Sequence, residues 1–423
     1  MPWRPGSSVR RWQQNAQTCK RCPCYTRTLN SSCAGEQTVK TNPGSSRFSV
    51  LCILLVAFVV PAVSAEDILI PQPPELPVKA YILQDFYSGR ILAESHADER
   101  LEPASLTKIM TAYVVFSELK KGRLKLGDMV TVSEKAWRTE GSRMFARVGA
   151  QISVEDLLKG MIVQSGNDAS VALAEHVAGD ESVFAQMMNQ HAARLGMVNT
   201  HFKNSMGLPD PDHYATAHDL ALLTRALIDE FPEYYPWHAI KEFLFNGIKQ
   251  TNRNKLLWRD ASVDGVKTGH TDGAGYCLVA SALRDNDRLI SVVLGARTDN
   301  DRASANQSLL NYGFRFFETR QIYPGREKLA DVRIWKGAPS VIGVGPARAV
   351  FVTYPRGKYS ELAAGVDVNE TANAPVAEGD KLGTVRVMHK DELVTQQDLV
   401  ALQPAVEGGI FRRMWDQLLL WTR

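Results

Sequence analysis

Three short clusters in this 423-residue chain set nucleophile, base and oxygen-binding groups at spacings that could do chemistry. Pro103-Ala104-Ser105-Leu106-Thr107-Lys108 opens a helical pattern, so Ser105 and Lys108, three apart, share a helix face and can touch. A serine hydroxyl is a poor nucleophile until a base takes its proton, and a desolvated lysine near another cation can do that. In Gln164-Ser165-Gly166-Asn167-Asp168, a hydroxyl and a carboxamide two apart on a turn can face one cleft. In Val263-Asp264-Gly265-Val266-Lys267-Thr268-Gly269-His270-Thr271, a cation stands beside a hydroxyl and then a residue without a side chain. That suits an edge strand which admits a substrate's backbone. Each cluster alone has a plainer reading: a solvated helix start for the first, a helix cap for the second. The ordered set is much rarer than its parts.

The elements around these clusters follow from periodicity. Ala80–Asp85 and Arg90–Glu94 flank Tyr87-Ser88-Gly89 as a hairpin. From Ser105 to Leu119 apolar residues recur at helical spacing, and helical patterns return at Val154–Val163, Ala169–Ala178, Val183–Leu195, Ala217–Ile228 and Ala303–Phe317. Tyr276–Leu283 and Leu289–Gly295 read as strands. Strands, helices and strands again predict one α/β or α+β domain, bounded at 79–323. Short strands with Gly, Pro, Asn and Asp between them then predict a small all-β domain over 324–405. Gly343-Val344-Gly345 lacks a third glycine at dinucleotide spacing and reads as a turn. Residues 406–423 form an amphipathic helix, with Trp and Arg at the borders of a broad apolar face, which suits a membrane surface.

Composition bounds the remaining possibilities. With 44% hydrophobic and 22% charged residues the chain is globular, not disordered, collagenous or multispan. A net charge of +3 gives no reason to expect nucleic acid. Residues 1–65 carry eight basic residues and one acid, a net of +7, so the remaining 358 carry −4. Val50–Val60 is apolar and uncharged and is followed by Pro61-Ala62-Val63-Ser64-Ala65, which reads as a signal peptide cleaved after Ala65. Residues 66–78 form a Pro-rich linker. Removal of the leader takes away Cys19, Cys22, Cys24, Cys33 and Cys52; Cys277 remains, a core residue with no partner for a disulfide. No His-Glu-x-x-His or comparable cluster is present, so no metal is expected.

Ser-x-x-Lys, Ser-x-Asn and Lys-Thr-Gly in this order are the motifs of penicillin-binding proteins and serine β-lactamases. The chain resembles the low-molecular-mass D-alanyl-D-alanine carboxypeptidases through Pro103–Thr111, Gln164–Ala169 and Asp264–Thr271, with Gly313–Glu318 and Glu407-Gly408-Gly409 in support. The likeness spans roughly residues 66–423. It implies a β-lactamase/transpeptidase-like α/β (α+β) domain, a small all-β sandwich-like domain and a C-terminal amphipathic helix. It implies that Ser105 is acylated, Lys108 is its base and Ser165 relays a proton to the leaving D-alanine. Asn167 would hold the substrate amide, and Lys267, Thr268 and Arg302 the terminal carboxylate. Gly269 would admit the substrate backbone, and the N–H groups of Ser105 and His270 would form an oxyanion hole. A Ser-His-Asp triad through His270 is unnecessary, because Lys108 supplies the base. Lys267 near Lys108 should favour a neutral base, since like charges disfavour each other.

The activity implied is removal of the terminal D-alanine from peptidoglycan pentapeptides, inhibited by β-lactams and needing no cofactor. The expected location is the periplasm, on the outer face of the inner membrane through residues 408–423. A β-lactamase would need a carboxylate before Lys-Thr-Gly; Glu230, Glu233 and Glu242 are there, but no motif selects one. A DD-endopeptidase would use the same residues, and a non-catalytic envelope scaffold would need none of them.

Overall fold

A computed structural model describes residues 70–421. The leader, its signal peptide and its cysteines lie outside the described residues. The described chain belongs to one compact unit. Its first half is built on a five-stranded antiparallel sheet, in the spatial order Ile91–Ser95, Ala80–Asp85, Asp287–Ala296, Gly275–Arg284, Val263–Thr271. Successive side chains in a strand point to opposite faces, and both faces here are covered. Ala80 and Ile82 enter one core with Ile290, Val292 and Leu294. Tyr81 and Leu83 enter the other with Leu289 and Val293. Covering both faces is why these strands read as apolar runs.

The first core holds most of the helices, among them Thr107–Lys120, Asn167–Ala178, Glu181–Leu195 and Ala217–Glu230. Every residue of the first of these from Thr107 to Leu119 is buried, so it is a central helix with no solvent face. The second core is sealed by Asp299–Phe316, which starts on a Thr298 cap whose hydroxyl accepts from the Asp301 N–H. The described part of the lead-in, residues 70–78, has no regular structure, yet Leu76 and Val78 pack on this core and Tyr312 donates to the Pro71 carbonyl at 3.1 Å.

The C-terminal half is all β, with a six-stranded sheet ordered Leu362–Val368, Lys381–His389, Glu392–Ala401, Val341–Pro346, Ala330–Trp335, Thr371–Asn373. Two sequence expectations need correction. Phe317–Tyr323, read as the end of the catalytic domain, pairs with Val350–Pro355 and belongs with the β half. Gly343-Val344-Gly345 is not a turn but the middle of a strand. Its glycines answer to crowding: a Cβ on Gly345 would strike the Glu327 carbonyl. The helix Ile410–Trp421 closes the chain, and among the described residues no helix is long and apolar enough to cross a membrane.

Candidate active site

Three walls meet at one cavity of about 880 Å³ that contains Ser105, Ser165, Asn167, Thr268, Gly269, His270 and Arg302 in its lining. The first wall is a 3₁₀ turn, Ala104–Leu106, that runs straight into the central helix. It places the Ser105 N–H at a helix start, the partially positive end of the helix dipole. Ala104 has φ of 47°, a left-handed conformation, and Gly207 packs against its carbonyl so tightly that no side chain fits at 207. One turn on, Lys108 is 1% exposed, and its Nζ donates to Ser105 Oγ at 2.9 Å, Asn167 Oδ1 at 2.7 Å and the Met206 carbonyl at 2.7 Å.

The second wall joins a short π-helical turn, Gly160–Gln164, to the helix that begins at Asn167. Ser165 makes the junction with φ of 67°, a conformation that L side chains rarely adopt. Asn167 is held from both ends, since its Nδ2 donates to the Glu140 carbonyl at 2.5 Å while its oxygen faces Lys108. The buried Asp168 accepts from the N–H groups of Met144, Ala146 and Ala169, which clamps segment 140–146 over this wall.

The third wall is Val263–Thr271, at the sheet edge as the sequence implies. A Cβ on Gly269 would lie 3.2 Å from the Ser105 nitrogen, so a side chain there would press on the helix start. Thr268 lines the cavity. Lys267 is buried beside it and donates to the Thr268 carbonyl at 3.1 Å. Arg302 reaches in from the last catalytic helix, its guanidinium donating to the carbonyls of Gly269 at 2.9 Å and Cys277 at 3.2 Å and to Asp299. The His270 ring is exposed and lies 4.0 Å, centroid to centroid, from Tyr276.

Electrostatics single out the two lysines. Burial, then the Arg253 charge, lowers the Lys108 pKa from 10.5 to about 7, with Asp168 opposing. The sequence argument assigned that depression to Lys267; burial and Arg253 come first. Lys267 is itself pushed well below its ordinary range, by burial and then by Lys108, Arg253 and Arg302. Cys277 is a buried thiol, raised to about 11 chiefly by burial, as a core residue should be. Among the described residues no three His, Cys, Asp or Glu side chains converge on a possible metal position.

The structure thus brings together Ser105, Lys108, Ser165, Asn167, Thr268, Gly269, His270 and Arg302, with Lys267 buried next to Thr268. Sequence reasoning missed the Met206 carbonyl, Gly207, Ser142 and Arg253. Arg253 lines the cavity and donates to Ser142 Oγ at 2.9 Å, and the Ser142 hydroxyl donates to the Gln164 carbonyl at 2.8 Å. Only Asn252-Arg253-Asn254, a cation between two amides just before the third cluster, could have signalled any of this.

Comparison with known proteins agrees across the chain. Residues 68–298 match the sequence model of the D-alanyl-D-alanine carboxypeptidase family, and residues 317–407 that of the penicillin-binding protein 5 C-terminal domain. The D-alanyl-D-alanine carboxypeptidase DacC of Escherichia coli (strain K12) is 46% identical over 374 residues, 86% of this chain and 93% of that protein. DacA from the same strain is 40% identical over 386 residues, 88% of this chain and 96% of that protein. The crystal structure of penicillin-binding protein 5 from Haemophilus influenzae superposes with a TM-score of 0.75 at 40% identity, covering 80% of this chain and all of that one. With the motif residues gathered on one cavity and these similarities running through both halves, the chain belongs to the D-alanyl-D-alanine carboxypeptidase family of penicillin-binding proteins.

Proposed function

We propose that the chain removes the terminal D-alanine from peptidoglycan pentapeptides through an acyl-enzyme on Ser105. The carrying observation is the company of the Lys108 amine. It is buried, it faces three oxygens, and among the described residues no carboxylate contacts it. In its neutral form it keeps two N–H groups for Asn167 and Met206 and turns its lone pair to Ser105, whose hydroxyl then donates to it. Lys108 takes that proton as Ser105 Oγ attacks the carbonyl between the two D-alanines. The N–H groups of Ser105 and His270 hold the oxyanion. Ser165 passes a proton to the departing amine, and Lys267, Thr268 and Arg302 hold the terminal carboxylate. Asn167 both orients Lys108 and offers its amide to the substrate.

β-Lactams acylate the same serine, but their leaving amine stays tethered. None of Glu230, Glu233 and Glu242 lines the cavity. Its one lining carboxylate among the described residues, Asp299, is bound to Arg302 and Lys255. That favours a lasting penicilloyl-enzyme over β-lactamase turnover. The purified chain should release D-alanine from a peptide ending in Lys-D-Ala-D-Ala and hold a fluorescent penicillin label. A label lost within seconds, with penicillin consumed and no D-alanine released, would replace this reading with a β-lactamase.

The terminal helix supports attachment to the periplasmic face of the inner membrane. Its one buried residue is Asp416, while Phe411 is 91% and Trp421 81% exposed, with Ile410, Met414, Trp415 and Leu418 beside them. The helix turns a polar side to the protein and its apolar side outward, the reverse of a packed surface helix. Retention on phospholipid vesicles, lost when residues 408–423 are removed, tests this directly.

A further inference from the structure

Arg302 does not wait for a carboxylate in isolation. Its guanidinium is already bonded to one oxygen of Asp299, and the other oxygen of that carboxylate takes Lys255 Nζ at 2.5 Å. All three residues line the same cavity as Ser105 and Thr268. Asp299 is a first-turn residue of the helix Asp299–Phe316, where the helix dipole favours its ionised form. Partial burial works against that charge, but Lys255 and Arg302 outweigh it and hold the carboxyl below its usual range. A substrate carboxylate that reaches Arg302 must therefore settle beside an existing anion, and two carboxylates on one guanidinium repel each other.

We propose that Lys255 is a specificity-determining residue of the carboxylate subsite, acting by cancelling the charge of Asp299 so that Arg302 stays free to accept a second anion. This rests on the carboxypeptidase reading above and extends it to a residue outside the three motifs. Lys255 is a positioning residue: it acts through Asp299. Its neighbours fit the role. Arg253 lines the same cavity, so a further cation stands in this cleft. With Lys255 removed, Asp299 keeps Arg302 to itself and its uncancelled charge faces the incoming carboxylate.

The test measures D-alanine release from a Lys-D-Ala-D-Ala peptide, beside turnover of a thioester of the same acyl group whose leaving group carries no carboxylate. Lys255→Ala should raise KM for the peptide about fivefold, a change of the size expected for a half-exposed charge pair, with kcat held within about twofold. KM for the thioester should not move. Lys255→Arg should retain the wild-type KM, and Lys255→Ala with Asp299→Asn should bring it back to within about twofold, because the anion to be cancelled is gone. Added salt should shrink the difference. An unchanged peptide KM, an equal change for both substrates, or no recovery in the double variant would overturn the inference while wild-type turnover leaves the carboxypeptidase reading intact. A wild-type chain that releases no D-alanine would overturn both.

Discussion

Lys108 and Asp416 are both almost fully buried, yet they keep opposite company. Lys108 contacts a hydroxyl, a carboxamide and a carbonyl, and the nearby Asp168 spends its oxygens on backbone N–H groups. Asp416 accepts from the Lys336 N–H at 2.6 Å and faces Arg333 at 3.4 Å and Arg412 at 4.0 Å. A buried charge met by opposite charge and donors is a fastener: Asp416 ties the terminal helix to the β half. A buried amine offered only neutral acceptors gives up its proton readily, which is what a base must do at neutral pH. The same chain uses burial for chemistry in one place and for attachment in the other.

That contrast can be broken most severely at Lys108. Lys108→Met should slow labelling by fluorescent penicillin by about a thousandfold, the range of a positioned general base. Its melting temperature should hold or rise, since the amine is costly to bury charged. The sign agrees with linkage: the folded pKa of about 7 lies below the ordinary 10.5, so stability from this group is fully present above 10.5 and lost as pH falls through 7. A variant that labels at the wild-type rate would end the assignment of Lys108 as base.

The pH profile sharpens the same point. Only the neutral amine accepts the Ser105 proton, so acylation should level off above about pH 7 and fall about tenfold per unit below it. A profile flat from pH 5 to 8 would mean that a different group takes the proton. The smallest effect on activity belongs to Asp416→Ala, which deprives the Lys336 N–H of an acceptor and should loosen the terminal helix by about 1–3 kcal/mol. Hydrogen exchange across Ile410–Trp421 should speed up, while turnover of a soluble peptide stays within about twofold. A fall in turnover to match would show that the two regions are coupled.

Much of the site was legible because its chemistry sits in side chains at fixed offsets. Helix geometry lets Ser105 and Lys108 touch and an edge strand suits the bare Gly269, but their roles follow from the resemblance carried by the three ordered motifs. Met206 escaped because it contributes a carbonyl, which every residue type carries. Segment 140–146 escaped because its hold on Asn167 and Asp168 runs through backbone groups across more than twenty residues of sequence. Gly345 misled because glycine marks both turns and strands pressed by a neighbouring backbone, and only the packing of Glu327 decides between them. The helices were clear, but the central one was read from one face when all its faces are buried; sequence periodicity understates a helix with no solvent side.

The central claim, that Ser105 carries the acyl group, is tested most directly by intact mass and peptide mapping after incubation with penicillin. The wild-type chain should gain one penicilloyl adduct on the peptide containing Ser105, and Ser105→Ala should gain none and release no D-alanine. An adduct on another residue, or turnover that survives in Ser105→Ala, would contradict the account.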